Sequence, residues 1–400
     1  MNTLLRPTGP PLVSSLGVRR PPHPLKLAPR DVPHAVIEPL YSCNLRCRAC
    51  YNREREHVKS EGEVIEEIEL ALRKRRLDTI SLLGGEPTLH PQLESIVRAI
   101  KERGLNCQIL TNGVPLLERP GLLERLVAAG VDRVIVHADV GQGHTDLEGF
   151  VTRVFDRLER AGVSFSRAVT VYPETQGTVP ELLLRHAHHR RFDGVLATIA
   201  RRAPVRDEVI PWEGSSLLEE HQALQARLAL EPSTYVPSSA DDLRASWLVY
   251  FMLLNAKTSR AFPISPRVDR LLRDGFRWFS GRHGFGAALD PRWTPLVSVA
   301  LVLLEVLLDP RRLVEALRAL RRSSTLRALR LLYVVVQSGP ERDAHGRLHL
   351  CHGCPDATVR NGKMVPVCLA DHIEPLPTSL QSVVDGELRC AVLEHLGERP

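Results

Sequence analysis

The sequence predicts an α/β fold built on a parallel sheet, and two observations predict it. Between residues 34 and 200, short apolar runs rich in Val, Ile and Leu alternate six times with longer amphipathic stretches, the pattern of repeated βα units. Glycine-rich or polar clusters follow five of these runs, and in a parallel sheet such clusters gather where the strands end. Periodicity leaves a doubly wound sheet and a partial barrel both open.

In order, strands are expected at 34–41, 78–83, 106–111, 132–138, 165–172 and 193–199, with helices at 62–74, 91–103, 115–129 and 145–161 among them. Cys107 lies inside an apolar strand, which marks it as a core thiol. Residues 1–33 are rich in Pro and Arg and lack the continuous apolar run of a signal peptide; they read as a flexible extension. After residue 200 the alternation stops. Helices are expected at 215–229, 241–257, 267–280, 294–308, 310–321 and 324–337, punctuated by Pro263, Pro266, Pro291 and Pro310. The division expected is therefore an extension at 1–33, a core domain at 34–200, a helical substrate or cap region at 201–346 and a small domain at 347–400.

The chain has 400 residues, 43% of them hydrophobic and 25% charged, with eight cysteines and a net charge of +6. That charge is modest for the length and does not argue for nucleic acid. The cysteines cluster in two tight groups, which favours metal over disulfides and a reducing cytoplasm. The apolar run 295–308 is too short to span a bilayer, which takes about 20 apolar residues.

The first group is Cys43-Asn44-Leu45-Arg46-Cys47-Arg48-Ala49-Cys50, on the loop leaving the first strand. Three thiolates on one short loop can hold three irons of a four-iron cluster and leave the fourth iron open. A structural zinc usually takes four ligands, and no partner knuckle lies within thirty residues of this loop. The second strand ends in Gly84-Gly85-Glu86-Pro87, where glycines admit close backbone approach and Glu86 offers an acceptor for an ammonium. Thr111-Asn112-Gly113 ends the third strand, His137-Ala138-Asp139 the fourth, with Gln142 and His144 beyond, and Tyr172-Pro173-Glu174 follows the fifth. Thr111-Asn112-Gly113 also reads as a plain turn, and His137 with Asp139 as a strand-end pair.

The Cys-x3-Cys-x2-Cys loop followed by a GGEP turn resembles the radical S-adenosylmethionine (SAM) superfamily. The resemblance implies a six-stranded partial (β/α)6 barrel, a [4Fe–4S] cluster on Cys43, Cys47 and Cys50, and SAM bound by Gly84, Gly85 and Glu86. It further implies SAM or ribose contacts from Thr111, Asn112 and Asp139. It implies reductive cleavage of SAM to a 5′-deoxyadenosyl radical, which abstracts hydrogen from a substrate, with an electron donor such as a flavodoxin or ferredoxin. Many members carry an aromatic just before the third cysteine; here Ala49 stands there and Tyr51 follows Cys50.

The second group, Cys351-His352-Gly353-Cys354 with Cys368, has the spacing C-x2-C-x13-C and encloses an Asn361-Gly362 hairpin turn. It resembles the short auxiliary-cluster (twitch/SPASM-like) module of several radical SAM enzymes. That likeness implies a second cluster whose remaining iron is met by substrate, by Cys390 or by another side chain. The alternative is a zinc site completed by Cys390 or His372.

Over 265–332 there are thirteen Arg and six Asp or Glu, so the excess of positive charge is concentrated in this block. Arg311, Arg312, Arg318, Arg321, Arg322, Arg327 and Arg330 interleave with leucines. Such helices suit a membrane surface or an anionic, lipid-like substrate, or are simply a solvated face. The function expected is radical SAM chemistry on a small-molecule or lipid-like substrate, in the cytoplasm or at a membrane periphery, with no nucleic-acid partner. Two alternatives stand beside it: a radical SAM enzyme acting on a peptide or nucleotide, and a zinc-stabilised module that binds nucleic acid, since Phe276, Trp278 and Phe279 lie among the basic residues.

Overall fold

The computed structural model describes residues 10–52, 56–200, 216–239, 243–285, 291–320, 328–339, 341–342 and 348–372. A two-residue strand, β1 (His23–Pro24), precedes six strands: β2 (His34–Leu40), β3 (Thr79–Gly84), β4 (Asn106–Thr111), β5 (Arg133–His137), β6 (Ser164–Val171) and β7 (Phe192–Ile199). These six pair in sequence order, every pair parallel, at the places the periodicity predicts. Helices α1 (Glu61–Lys74), α2 (Leu93–Glu102), α3 (Val114–Glu118), α4 (Leu122–Ala129), α5 (Leu147–Ala161) and α6 (Val179–His186) lie in the connections. α1 starts where Ser60 and Glu63 form a reciprocal capping box, and it buries Val64, Ile68 and Ala71 along one stripe.

Strand alternation sorts the two faces of the sheet. Ala35, Ile37, Ile80, Leu82, Cys107, Ile109, Val134 and Val136 join the helices in one apolar core, so Cys107 is the core thiol expected. The opposite face carries polar pairs instead. His34 bonds Ser81 at 2.8 Å, Arg133 bonds Asp193 at 2.8 Å, and Ser166 bonds the Tyr333 hydroxyl at 2.7 Å.

The region after residue 200 differs from the expected all-helical cap. It holds α7 (Leu217–Leu228), β8 (Thr234–Pro237), β9 (Ala245–Asn255), β10 (Arg260–Pro263), α8 (Pro266–Ser280), α9 (Thr294–Leu308), α10 (Leu313–Leu320) and β11 (Leu329–Ser338). Two stretches expected as helices, 241–257 and 324–337, are thus strands where described. β9 is buried on both faces, so its near-continuous apolar run shows no two-residue alternation, and a short apolar run reads equally as buried helix. Together they extend the sheet to eleven strands, in the order β1-β8-β9-β11-β7-β6-β5-β4-β3-β2 with β10 paired to β9. β11 lies parallel to β7 and antiparallel to β9. The partial barrel expected from six strands is therefore continued by strands from the supposed cap.

The N-terminal extension is also corrected. Residues 10–33 are packed: Leu16 enters the core, Val32 is fully buried, and β1 pairs in parallel with β8.

The chain ends, among described residues, with short strands β12 (Glu341–Arg342), β13 (Leu348–His349), β14 (Ala357–Arg360) and β15 (Lys363–Pro366). β14 and β15 form a hairpin whose Asn361 and Gly362 both have positive φ, 48° and 75°, as the Asn-Gly turn predicts. Cys351 bridges to Ser238 just beyond β8, while Arg75 donates to the Cys354 carbonyl at 3.0 Å beside the start of β2. One segment thus touches strands near both ends of the sheet order, as a sheet rolled toward a barrel requires.

Candidate functional site

The loop carrying Cys43, Cys47 and Cys50 is held from five directions. At its base, the Asn52 side-chain amide donates to the Tyr41 carbonyl at 2.8 Å. After β3, Gly85 N donates to Leu40 O at 2.9 Å and Glu86 N to Ser42 O at 2.8 Å. After β4, Asn112 Nδ2 donates to Asn44 Oδ1 at 2.7 Å. After β5, Gly141 O accepts from Arg48 N at 3.0 Å. After β6, Glu174 pairs with the Arg48 guanidinium, which stacks 4.7 Å over the Tyr172 ring. The five rim clusters singled out in the sequence therefore meet at one place.

The two glycines serve this assembly first. A Cβ on Gly85 would stand 2.0 Å from Ser42 O, and one on Gly84 2.2 Å from Leu40 O. Both positions are glycine because the root of the cysteine loop presses against them. Glu86 is 1% exposed. Its Oε1 accepts from Thr88 N at 3.0 Å, from the Thr88 hydroxyl, and from the Thr111 hydroxyl at 2.7 Å. Its Oε2 accepts from Asn112 N at 2.7 Å. Burial pushes its carboxyl pKa up, and the Thr88, Thr111 and Asn112 bonds work against that. Thr111 and Asn112 thus act on the carboxylate of Glu86.

Asp139 is likewise buried. His137 Nε2 lies 2.9 Å from its Oδ2, Thr170 N donates to Oδ2 at 2.8 Å, and Gly141 N to Oδ1 at 2.8 Å. Burial raises its pKa, yet the bonds from His137 and Thr170 outweigh it and hold the carboxyl at about 2. The strand-end pair and the rim position are therefore the same feature. Tyr51 turns away from the open side of the loop, its hydroxyl donating to Glu38 at 3.1 Å. Sequence reasoning missed Glu38, Thr88 and Arg360; a carboxylate in an otherwise apolar strand was the signal for Glu38.

The cysteines fit a cluster with one iron per thiolate. Burial first, then the neighbouring Cys50 and Cys43 thiols and Asp139, push Cys47 up to about 12, so the three sulfurs are close enough to repel when ionised. The Gln142 amide also lies within hydrogen-bond reach of Cys47. Among the described residues, no three His, Cys, Asp or Glu side chains close around a point fit for a single ion. None of the seven described cysteines is in a disulfide.

Cys351, Cys354 and Cys368 also gather. Cys351 hydrogen-bonds Cys354, and that contact, burial and the nearby thiols push its pKa up. This group sits elsewhere than the first. Cys354 lies against Arg75 and His34 at the start of β2, whereas Cys43 follows its end. Seven strand residues separate the two, about 20 Å at ~3.3 Å per residue. Cys390, one of the candidate fourth ligands, and the His372 side chain lie outside the described residues.

Comparison with known proteins gives partial likenesses. The chain is similar to GTP 3′,8-cyclase of Chlorobaculum tepidum, 31% identical over 161 residues that make 39% of this chain and 46% of that one. It is similar to the tungsten-containing aldehyde ferredoxin oxidoreductase cofactor-modifying protein of Pyrococcus furiosus, 36% identical over 24% of this chain and 28% of that one. Among solved structures it resembles Streptococcus suis SuiB bound to S-adenosylmethionine, with TM-score 0.41 and 16% identity over 48% of this chain and 46% of that one. The chain spans less than half the length of these relatives. Residues 37–185 match the family described as the radical SAM superfamily. Residues 37–185 accordingly carry a radical SAM domain, the superfamily whose members use a [4Fe–4S] cluster and S-adenosylmethionine.

Proposed function

We propose that this protein cleaves SAM reductively and uses the product to abstract hydrogen from a substrate at the rim formed after β2 to β6. The observation that supports this best is the convergence of the other four rim clusters on the loop of Cys43, Cys47 and Cys50. When bound, the cluster supplies the electron that converts SAM to methionine and a 5′-deoxyadenosyl radical. The chain's own residues bind and orient. Cys43, Cys47 and Cys50 hold three irons. Glu86 Oε2, with one protein donor against three on Oε1, keeps a lone pair for the methionine ammonium. Thr111 and Asn112 fix that carboxylate, Gly84 and Gly85 let the loop approach it, and Asp139, held ionised, accepts from a ribose hydroxyl. An electron donor of the flavodoxin or ferredoxin class would supply the reducing electron. The test is anaerobic: the Cys43→Ala, Cys47→Ala, Cys50→Ala triple variant should lose about half the iron of the wild type and all 5′-deoxyadenosine production. Continued SAM cleavage in that variant rejects the assignment.

The substrate we favour is amphipathic and met at an anionic membrane surface. Three helices that touch in series, α8, α9 and α10, expose apolar side chains: Trp278 and Phe279 are 79% and 83% exposed and Leu307 78%, with Leu296, Leu303, Val314 and Leu317 beside them. α9 buries one face on β11, so a second apolar stripe is left outward. Arg267, Arg270 and Arg277 on α8, Arg318 on α10 and Arg311 in the turn before α10 stand exposed. Arg312 does not take part, contrary to the expectation from sequence. It is 1% exposed and bonded to Glu305, Glu315 and the Pro263 carbonyl. Arg321, Arg322 and Arg327 lie outside the described residues. Among the described residues no helix is long and apolar enough to cross a membrane, so contact would be peripheral. Wild-type protein should sediment with anionic vesicles at low salt and be released by high salt. Trp278→Ser with Phe279→Ser should weaken this binding, and absence of wild-type binding at low salt rejects the membrane. A nucleotide or peptide substrate then becomes the reading to pursue.

A further inference from the structure

The two cysteine groups lie at opposite ends of β2, yet one side chain joins them. Arg360 ends β14, on the hairpin enclosed between Cys354 and Cys368. It is 3% exposed, and its Nη2 lies 2.6 Å from Glu38 Oε2, a carboxylate that is itself fully buried. Glu38 Oε1 in turn accepts from the Tyr51 hydroxyl at 3.1 Å, and Tyr51 directly follows Cys50. The same guanidinium stacks 4.8 Å over the ring of Tyr41, two residues before Cys43. Arg360 therefore braces both feet of the loop that carries the first three cysteines, one through Glu38 and one by stacking.

We propose that Arg360 is a positioning residue, through which metal occupancy of Cys351, Cys354 and Cys368 sets the geometry of the Cys43–Cys50 loop. The two ends of the hairpin run into Cys354 and Cys368, so a group bound there clamps both and fixes where its outer strand end places Arg360. The other anchors of this segment point the same way. Arg75 donates to the carbonyls of Cys354 and Pro355, and His34 Nδ1 meets Pro355 O at 3.0 Å, so the clamp is seated on β2 itself. Without Arg360, buried Glu38 loses the guanidinium 2.6 Å away, while Lys59, over the same Tyr41 ring, is already paired with Glu67 at 2.7 Å, and the cheapest relief is a shift of the loop root. The second site then acts as a clasp on the first. The clasp requires no contact between the second group and substrate.

This rests on the reading of the first loop as a cluster site, and the experiment separates the two. Deuterium uptake of residues 41–52 is measured in the full chain carrying Cys43→Ala, Cys47→Ala and Cys50→Ala and reconstituted with iron, so that only the second group is loaded, with the iron-free chain as the unclamped reference, for Arg360 unchanged, Arg360→Met, Arg360→Lys, Glu38→Gln and the double variant Glu38→Gln, Arg360→Met. Arg360→Met should speed exchange in this loop by at least about tenfold, because removing one partner of a buried ion pair is strongly destabilising. Arg360→Lys, which keeps the charge, and the double variant, which removes both charges, should each recover much of the protection. In reconstituted protein, Arg360→Met and Cys354→Ala with Cys368→Ala should both shift the midpoint potential of the cluster on Cys43, Cys47 and Cys50. Equal exchange and equal potential across this series would overturn the coupling. A wild type that takes up no iron on the first loop would instead remove the reading on which it rests. If Arg360→Met does not fold, the Arg360→Lys and double variants carry the comparison, and a double variant no better protected than Glu38→Gln alone rejects the brace.

Discussion

Asp139 joins the chemistry of the site to its stability. Its carboxyl is held at about 2 in the fold against an ordinary 3.8, so it stabilises the fold above pH 3.8 and that contribution disappears as pH falls through about 2. A shift of this size is worth about 2 kcal/mol. Asp139→Asn should abolish this part of the acid-unfolding slope, measured as urea stability across pH 2 to 5, while wild type keeps it. Glu86 behaves differently, because its four donors serve the fold and the ligand at once. Glu86→Gln keeps the shape but places an amide donor where only acceptors fit. SAM affinity should fall by about tenfold or more, as expected for losing a bond between charged groups, with iron content unchanged by colorimetric assay.

At the scale of elements, the buried ion pair of Glu305 on α9 with Arg312 anchors the three outer helices. Both side chains are 1% exposed, and Arg312 also stacks 4.2 Å over Phe262. Arg312→Ala should cost about 3–5 kcal/mol in chemical denaturation, and Arg312→Met with Glu305→Met far less. The strands β9 and β11 show why part of the fold was illegible. Apolar periodicity identifies β2 to β7 because turn residues and helices separate them, but β9 is apolar on both faces and offers no period. One signal was present in β7. A Cβ on Gly194 would stand 1.9 Å from Tyr333 O, and its φ is 151°. A glycine inside a strand marks the close approach of another backbone, here β11. Gly194→Ala should cost about 2 kcal/mol or more, read by thermal unfolding. The site was more legible than the sheet: Cys43, Cys47, Cys50 and Glu86 announce themselves by spacing. Glu38 and Arg360 are 322 positions apart in sequence, and only the folded sheet brings them together.

For the molecule as a whole, two cysteine groups imply two clusters, and reconstituted protein should approach about eight irons per chain. Saturation at about four irons with zinc retained would make the second group a zinc site. The order in which the chain is made adds a consequence to the Arg360 brace. Cys43, Cys47 and Cys50 leave the ribosome early, whereas Arg360 follows more than 300 residues later. At about 5–20 residues per second, the nascent loop waits roughly 15–60 s for its brace. Through that interval the Arg360 guanidinium is missing from Glu38, so under the proposed brace cluster delivery to a stalled or truncated nascent chain should be inefficient. Under the proposed brace, loading of the first loop waits for synthesis of the β14–β15 hairpin.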